Sequence, residues 1–277
     1  MKRVLTLVLV LAGCGGAQHA ASVPHAVHID AALPSGADDG VFVMRRDTED
    51  VLHATNLALI DTRFSPCSTF KIPHALVALE TGAAPDEHFV IPWDHVERDR
   101  AELNQDHDLT TAMRDSVLWY FQALARTIGP AQEAEWLTRL HYGNEASGDA
   151  SHLETFWIDG TLQISPHEEL DFVSRLAARS LPVSERTMDV VTSILPAERF
   201  GGATLRAKTG TCQDEHHAHA WWVGWVEDGT DRTSFAALLT SADPARMDTL
   251  VEARKPWVRA LLHDQGVIPS VEPMTEP

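Results

Sequence analysis

Ser68-Thr69-Phe70-Lys71 sets a hydroxyl and an amine at a separation of three residues. On a helix that spacing puts both side chains on one face, a turn apart. A serine hydroxyl is a weak nucleophile until a neighbouring base takes its proton. A lysine out of water can be that base, because burial disfavours its charged form. Backbone N–H groups at a helix start favour the oxyanion that forms on acylation. S-x-x-K alone recurs by chance, but Lys208-Thr209-Gly210-Thr211 follows about 140 residues later. Gly210, lacking Cβ, lets a substrate lie close to the chain, while Lys208 and Thr209 face an anionic group. In this order the pair points to acyl transfer through a serine nucleophile.

These residues need elements to hold them. Val41-Phe42-Val43-Met44 and Leu57-Ala58-Leu59-Ile60 read as paired strands. Apolar positions over 69–79 have helical spacing, with Gly82 as the C-terminal stop and Pro73 tolerated near the first turn. The stretch 86–180 reads as mostly helical, including 109–128 and 130–140 divided by Gly129-Pro130, and 165–181. A helix over 184–194 follows, with Ser184 as its cap. Residues 204–208, 220–226 and 233–240 read as strands, the last two joined by the turn signal Asp228-Gly229. A helix over 248–262 closes the chain, where Pro256 either kinks it or marks its first turn. Strands at both ends with helices between predict an α+β fold: a central antiparallel sheet completed by both termini, flanking helices and a helical subdomain.

The 277 residues carry 22 Lys+Arg against 40 Asp+Glu, a net charge of −18. Such acidity repels phosphate backbones and excludes nucleic acid as a partner. Three cysteines exclude a disulfide-rich scaffold. Lys2 and Arg3 precede a short apolar run ending in Leu11-Ala12-Gly13-Cys14, too short to span a bilayer and read as a secretory signal over 1–13. Its end resembles the bacterial lipobox, which implies lipidation of Cys14 and a membrane anchor on an exported protein, on the periplasmic side of a bacterial membrane; the alternative is an ordinary signal peptide. Residues 14–39 read as a flexible tether and lead-in, and 40–277 as the catalytic domain.

The motifs in order resemble the class D (OXA-type) serine β-lactamases over about 40–265. They are Ser68-Thr69-Phe70-Lys71-Ile72-Pro73, Ser116-Val117-Leu118, Tyr142-Gly143-Asn144, Phe156-Trp157-Ile158-Asp159-Gly160, Lys208-Thr209-Gly210 and Trp221-Trp222-Val223-Gly224-Trp225. The resemblance implies a β-lactam substrate, an acylated Ser68, and a CO2-derived carbamate on Lys71 as general base, with no prosthetic group. It further implies that Trp157 donates its indole N–H to the carbamate, inside a greasy wall of Phe70, Val117 and Leu118. Ser116 would relay a proton to the lactam nitrogen with help from Lys208. The N–H groups of Ser68 and Thr211 would form the oxyanion hole, and Tyr142 and Asn144 would support the site. Read without the family, Trp157 is core, Ser116 a satisfied polar residue within a helix, and Tyr142-Gly143-Asn144 a helix-ending turn.

Leu118 stands where the family usually has valine, which predicts crowding beside Lys71. Arg254 falls where many relatives hold the substrate carboxylate, with the Thr209 and Thr211 hydroxyls assisting. In the shared fold the K-T-G strand runs beside the nucleophile's helix start, so Cys67 and Cys212 are expected to form a disulfide. His216, His217 and His219, with Asp214 and Glu215, read as a polar rim shaping the substrate range rather than a metal site. A homodimer is compatible with this reading; the β-lactam spectrum is left open.

Overall fold

A computed structural model of the chain describes residues 25–274. Strands β1 (His25–His28), β2 (Asp39–Arg46) and β3 (Val51–Ala54) come first. A 3-10 turn, Cys67–Phe70, then leads into α1 (Lys71–Thr81), which Gly82 ends in the left-handed conformation. Helices α2 (Leu109–Asp115), α3 (Leu118–Ile128), α4 (Pro130–Leu140), α5 (Pro166–Ala177) and α6 (Glu185–Ile194) follow. Strands β4 (Ala197–Phe200), β5 (Ala203–Gln213), β6 (Ala218–Asp228) and β7 (Asp231–Ser241) precede the closing α7 (Met247–Asp264).

The seven strands form one sheet in the order β1-β3-β2-β7-β6-β5-β4. Alternation along its strands sorts two cores. Val41, Val43, Trp221, Val223, Trp225, Ala236 and Leu238 point into the larger one, shared with α1 to α6. Phe42, Trp222, Phe235, Ala237 and Leu239 point to the other face, covered by Leu250, Trp257, Val258 and Leu261 of α7. The β6–β7 hairpin turns through Gly229-Thr230, directly after Asp228, and Ser184 caps α6 by accepting from Thr187 N. Among the described residues no helix is long and apolar enough to cross a membrane. The signal over 1–13 and Cys14 lie outside the described residues.

Three expectations change. Residues 57–60 are a turn, not a strand: Asn56 Oδ1 accepts from Ala58 N and local carbonyls take the next amides, the competition that asparagine offers a strand. The partner of β2 is instead Val51–Ala54. The sheet begins inside the segment read as tether, with β1 pairing β3 in parallel, so the sheet is antiparallel except at that edge. Of the two placements left open for Pro256, the one inside the helix holds: it lies within α7, beyond the first turn.

The third change shapes the site. Residues 109–128 are two helices, because Ser116 adopts φ 57°, ψ 43°. Asp108 opens α2 with a capping box to Thr111, and the left-handed Ser116 ends it after only seven residues. A left-handed residue other than glycine costs about 1–2 kcal/mol.

Candidate active site

The nucleophile's turn is held from several sides. Cys67, at φ 56°, donates its N–H to Trp157 O at 2.9 Å, and Thr69 N donates to Pro66 O at 3.2 Å. Cys67 and Cys212 are disulfide-bonded, with Cα atoms 5.7 Å apart, tying this turn to the end of β5. Gly210 meets the same turn: a Cβ there would lie 2.7 Å from Pro66 O, so the nucleophile's own turn demands the glycine. Room for substrate is not what that position supplies.

Ser68 is half-buried, and Lys71 Nζ lies 2.7 Å from its Oγ. Lys71 is 1% exposed, and burial pulls its pKa down to about 7, with Arg100 adding to the effect. Its surroundings explain this. Phe70, Val117, Trp157 and Phe121 are all buried, and Nζ sits 5.4 Å from the Phe121 ring centre. Leu118 is not part of that wall, being 37% exposed at the start of α3, so the crowding expected beside Lys71 is not seen. The Trp157 indole stacks on Phe70, and its buried Nε1 has no hydrogen-bond acceptor.

The break between α2 and α3 brings Ser116 to the second lysine: Lys208 Nζ donates to Ser116 Oγ at 3.0 Å and to Thr209 O at 3.1 Å. Burial holds Lys208 well below the usual lysine range, and Lys71 and Arg254 push the same way. Arg254 is buried and donates to Gly210 O at 3.0 Å and Thr211 Oγ1 at 2.8 Å, while its Nε has no partner. Burial lowers its pKa to about 10. The guanidinium is therefore held against the K-T-G strand, next to Thr211.

Tyr142-Gly143-Asn144 is a brace. Asn144 donates through its side chain to Thr161 O and accepts from Gln163 N. Gly143, at φ 56°, lies where a Cβ would strike Gln163 O. Tyr142 O–H donates to Glu169 Oε1 at 2.9 Å. Beyond Cys212, Asp214 Oδ1 accepts from the backbone of His216 and His217, closing a β-turn-like loop. His219 turns inward instead, with Nε2 3.3 Å from Cys67 Sγ. It forms with Cys67 and Cys212 a group of metal-type donors, but the sulfurs are bonded to each other.

Sequence reading missed Phe121, Glu169 and the buried pair His74–Glu133, whose Nε2 and Oε1 lie 2.8 Å apart beneath Phe70 and Trp157. Acidic residues at helix positions read as solvated faces, so no local signal marked Glu133 or Glu169.

The chain matches the family of the penicillin binding protein transpeptidase domain over residues 35–263. It is 40% identical to β-lactamase OXA-48 of Klebsiella pneumoniae over 188 residues, 68% of this chain and 70% of that one. It is 37% identical to the probable β-lactamase YbxI of Bacillus subtilis, covering 82% and 87%. Among solved structures, a class D β-lactamase from Sebaldella termitidis superposes with TM-score 0.79 at 30% identity, covering 83% and 92%. The C-terminal domain of the Bacillus licheniformis BlaR penicillin-receptor gives 0.76 at 30%, with the same coverage. A buried lysine against a half-buried serine, a second lysine–serine pair across from it, and these likenesses agree, and the chain belongs to the class D serine β-lactamases.

Proposed function

We propose that the protein opens β-lactams through an acyl-enzyme on Ser68 and hydrolyses that ester with many turnovers. The observation that carries this is Lys71, buried beside the Phe121 ring, 2.7 Å from Ser68 Oγ and poised to be neutral. Ser68 loses its proton toward the Lys71 side chain and attacks the lactam carbonyl. The N–H groups of Ser68 and Thr211 receive the developing oxyanion. Ser116, held by Lys208, passes a proton to the leaving nitrogen. Lys208, with the Thr209 and Thr211 hydroxyls, faces the substrate carboxylate, and Arg254 acts on it beside Thr211.

A carbamate on Lys71 fits these residues. CO2 adds only to a neutral amine, which burial provides, and the buried Trp157 Nε1 is a donor in want of an acceptor. When present, that group supplies a carboxylate base. Bicarbonate is expected to restore decaying progress curves, most clearly at pH 6, where the amine is largely protonated. A carbonyl signal from labelled bicarbonate in the wild type, absent in Lys71→Ala, tests the adduct directly.

A second reading is a sensor that acylates without turnover, favoured by the likeness to the BlaR receptor domain. A chromogenic cephalosporin in large excess decides between them: sustained hydrolysis supports the enzyme, and a burst equal to the protein concentration supports the sensor. The lipobox supports export and a lipid anchor at Cys14; labelled fatty acid entering wild type but not Cys14→Ser tests it.

A further inference from the structure

Glu169, on α5, is 1% exposed and takes no part in the chemistry above. Its Oε1 lies 2.5 Å from Thr69 Oγ1 and 2.9 Å from the Tyr142 hydroxyl, and its Oε2 has no partner. Thr69 follows the nucleophile, and its Oγ1 also lies 2.8 Å from Pro66 O. A hydroxyl has one proton to donate. If Glu169 were a carboxylate, it and Pro66 O would compete for that proton, and one close oxygen–oxygen contact would have none. Pro66 O can only accept, so the second proton has to come from Glu169. A carboxylic O–H donating to Thr69 lets Thr69 donate to Pro66 O and leaves Glu169 free to accept from Tyr142. It also leaves an uncharged oxygen, rather than an anionic one, where Oε2 is unpartnered.

The geometry points to Glu169 as a neutral carboxylic acid whose proton, donated to Thr69, positions the turn that carries Ser68. It is a positioning residue and acts through Thr69. The turn it ties is the one β5 presses on: Thr69 Cγ2 and N lie 3.1 and 3.2 Å from where a Gly210 Cβ would be. A shift of Thr69 therefore changes the separation between Ser68 and the K-T-G strand. The surroundings agree. Burial raises Glu169 to about 7, and the Glu168 carboxylate adds to the effect. Burial raises Tyr142 as well, keeping its proton in place. Cations on neighbouring elements are engaged elsewhere, Arg63 by Glu168, Arg45 by Asp171 and Arg175 by Leu140 O.

This deepens the hydrolase reading and rests on it only for its kinetic arm, so the decisive measurements need no turnover. Carboxyl NMR of glutamate-labelled wild type is expected to show one glutamate titrating near 7. Glu169→Gln keeps N–H donors at the same corner and cannot ionise. A raised folded-state pKa means wild type loses stability as pH climbs from the unfolded value through about 7. The variant is therefore expected to match wild type near pH 5 and to exceed its Tm by about 5–10 °C at pH 8.5. With a chromogenic cephalosporin, the variant's kcat should fall less on the alkaline side, with KM little changed. The acid side, set by Lys71, should stay. Thr69→Val should lower kcat about tenfold at every pH, and adding Glu169→Gln to it should change little more. Glutamates titrating only below about 5, or a Tm difference constant with pH, would overturn the assignment, and the first measurement decides even if Glu169→Gln does not fold. Titration and Tm crossover in a protein that shows only a burst would overturn the hydrolase reading and uphold the neutral acid.

Discussion

Two serine–lysine pairs face each other in this site, and they are built differently. Ser68 and Lys71 are neighbours within one turn, separated by three residues. Ser116 and Lys208 are 92 residues apart, brought together by the end of α2 and the middle of β5. Both lysines are almost fully buried. The first amine lies 5.4 Å from the Phe121 ring centre, whereas the second also feels the positive charges of Lys71 and Arg254. In the proposed mechanism the local pair takes a proton, and the remote pair hands one on while facing an anion. What separates their tasks is the field around each amine, since the amines themselves are chemically alike.

The sharpest way to break this comparison is to remove each amine in turn. Lys71→Ala is expected to lower kcat by about 10³-fold, the scale of a lost general base, with KM changed far less. Lys208→Ala should lower kcat about tenfold to a hundredfold and raise KM for an anionic cephalosporin, because it loses both proton relay and carboxylate partner. Steady-state kinetics on both variants checks this. Equal losses in kcat with no KM effect for Lys208 would mean that the pairs share one task.

Trp157→Phe sharpens the assignment of the local pair. It keeps a ring to stack on Phe70 and removes only the Nε1 donor. Turnover is expected to drop about tenfold, with a larger bicarbonate stimulation than in wild type. An unchanged bicarbonate response would detach the indole from any group on Lys71.

Burial of Lys71 carries a cost that pH reveals. Its folded pKa of about 7 lies below the ordinary lysine value of 10.5, so between those values the unfolded chain binds more protons than the folded one. Stability therefore rises with pH across that window, by about 5 kcal/mol for this group alone. Lys71→Met should accordingly raise Tm strongly at pH 6 and weakly at pH 10, measured by thermal unfolding. A gain of the same size at both would show that the lysine is not desolvated.

The two pairs also differ in how far the sequence exposes them. Ser68 and Lys71 are legible from spacing, as are the Gly82 stop, the Ser184 cap and the alternating strands around Trp221 to Trp225, because each depends on contacts within a turn or a pleat. The class of fold follows from the order of those elements. The strand order does not, nor does the parallel edge strand β1, since pairing partners leave no local mark. Cys67 and Cys212 were paired through the likeness to a known fold; nothing near either residue names the other. Glu169 and Glu133 sit on helices whose polar pattern looks solvated, and only tertiary packing shows that they are enclosed. Gly210 was legible as a close approach, but what approaches is Pro66.

Ser116 shows the limit best, and it yields the smallest expected effect. Its neighbours have helical periodicity, so 109–128 reads as one helix, yet φ 57° at Ser116 splits it. An unbroken helix would carry residue 116 on around α2, away from Lys208. Strain at one backbone position is thus what aims the remote pair, a cost of the kind found where function over-determines conformation. Ser116→Gly and Ser116→Ala both remove the hydroxyl, but glycine accepts positive φ freely and alanine does not. The glycine variant should be more stable than the alanine variant by about 1 kcal/mol, read from denaturant unfolding, while both lose turnover alike. If alanine were the more stable, the helix would be continuous in solution, and the second pair would have to be assembled some other way.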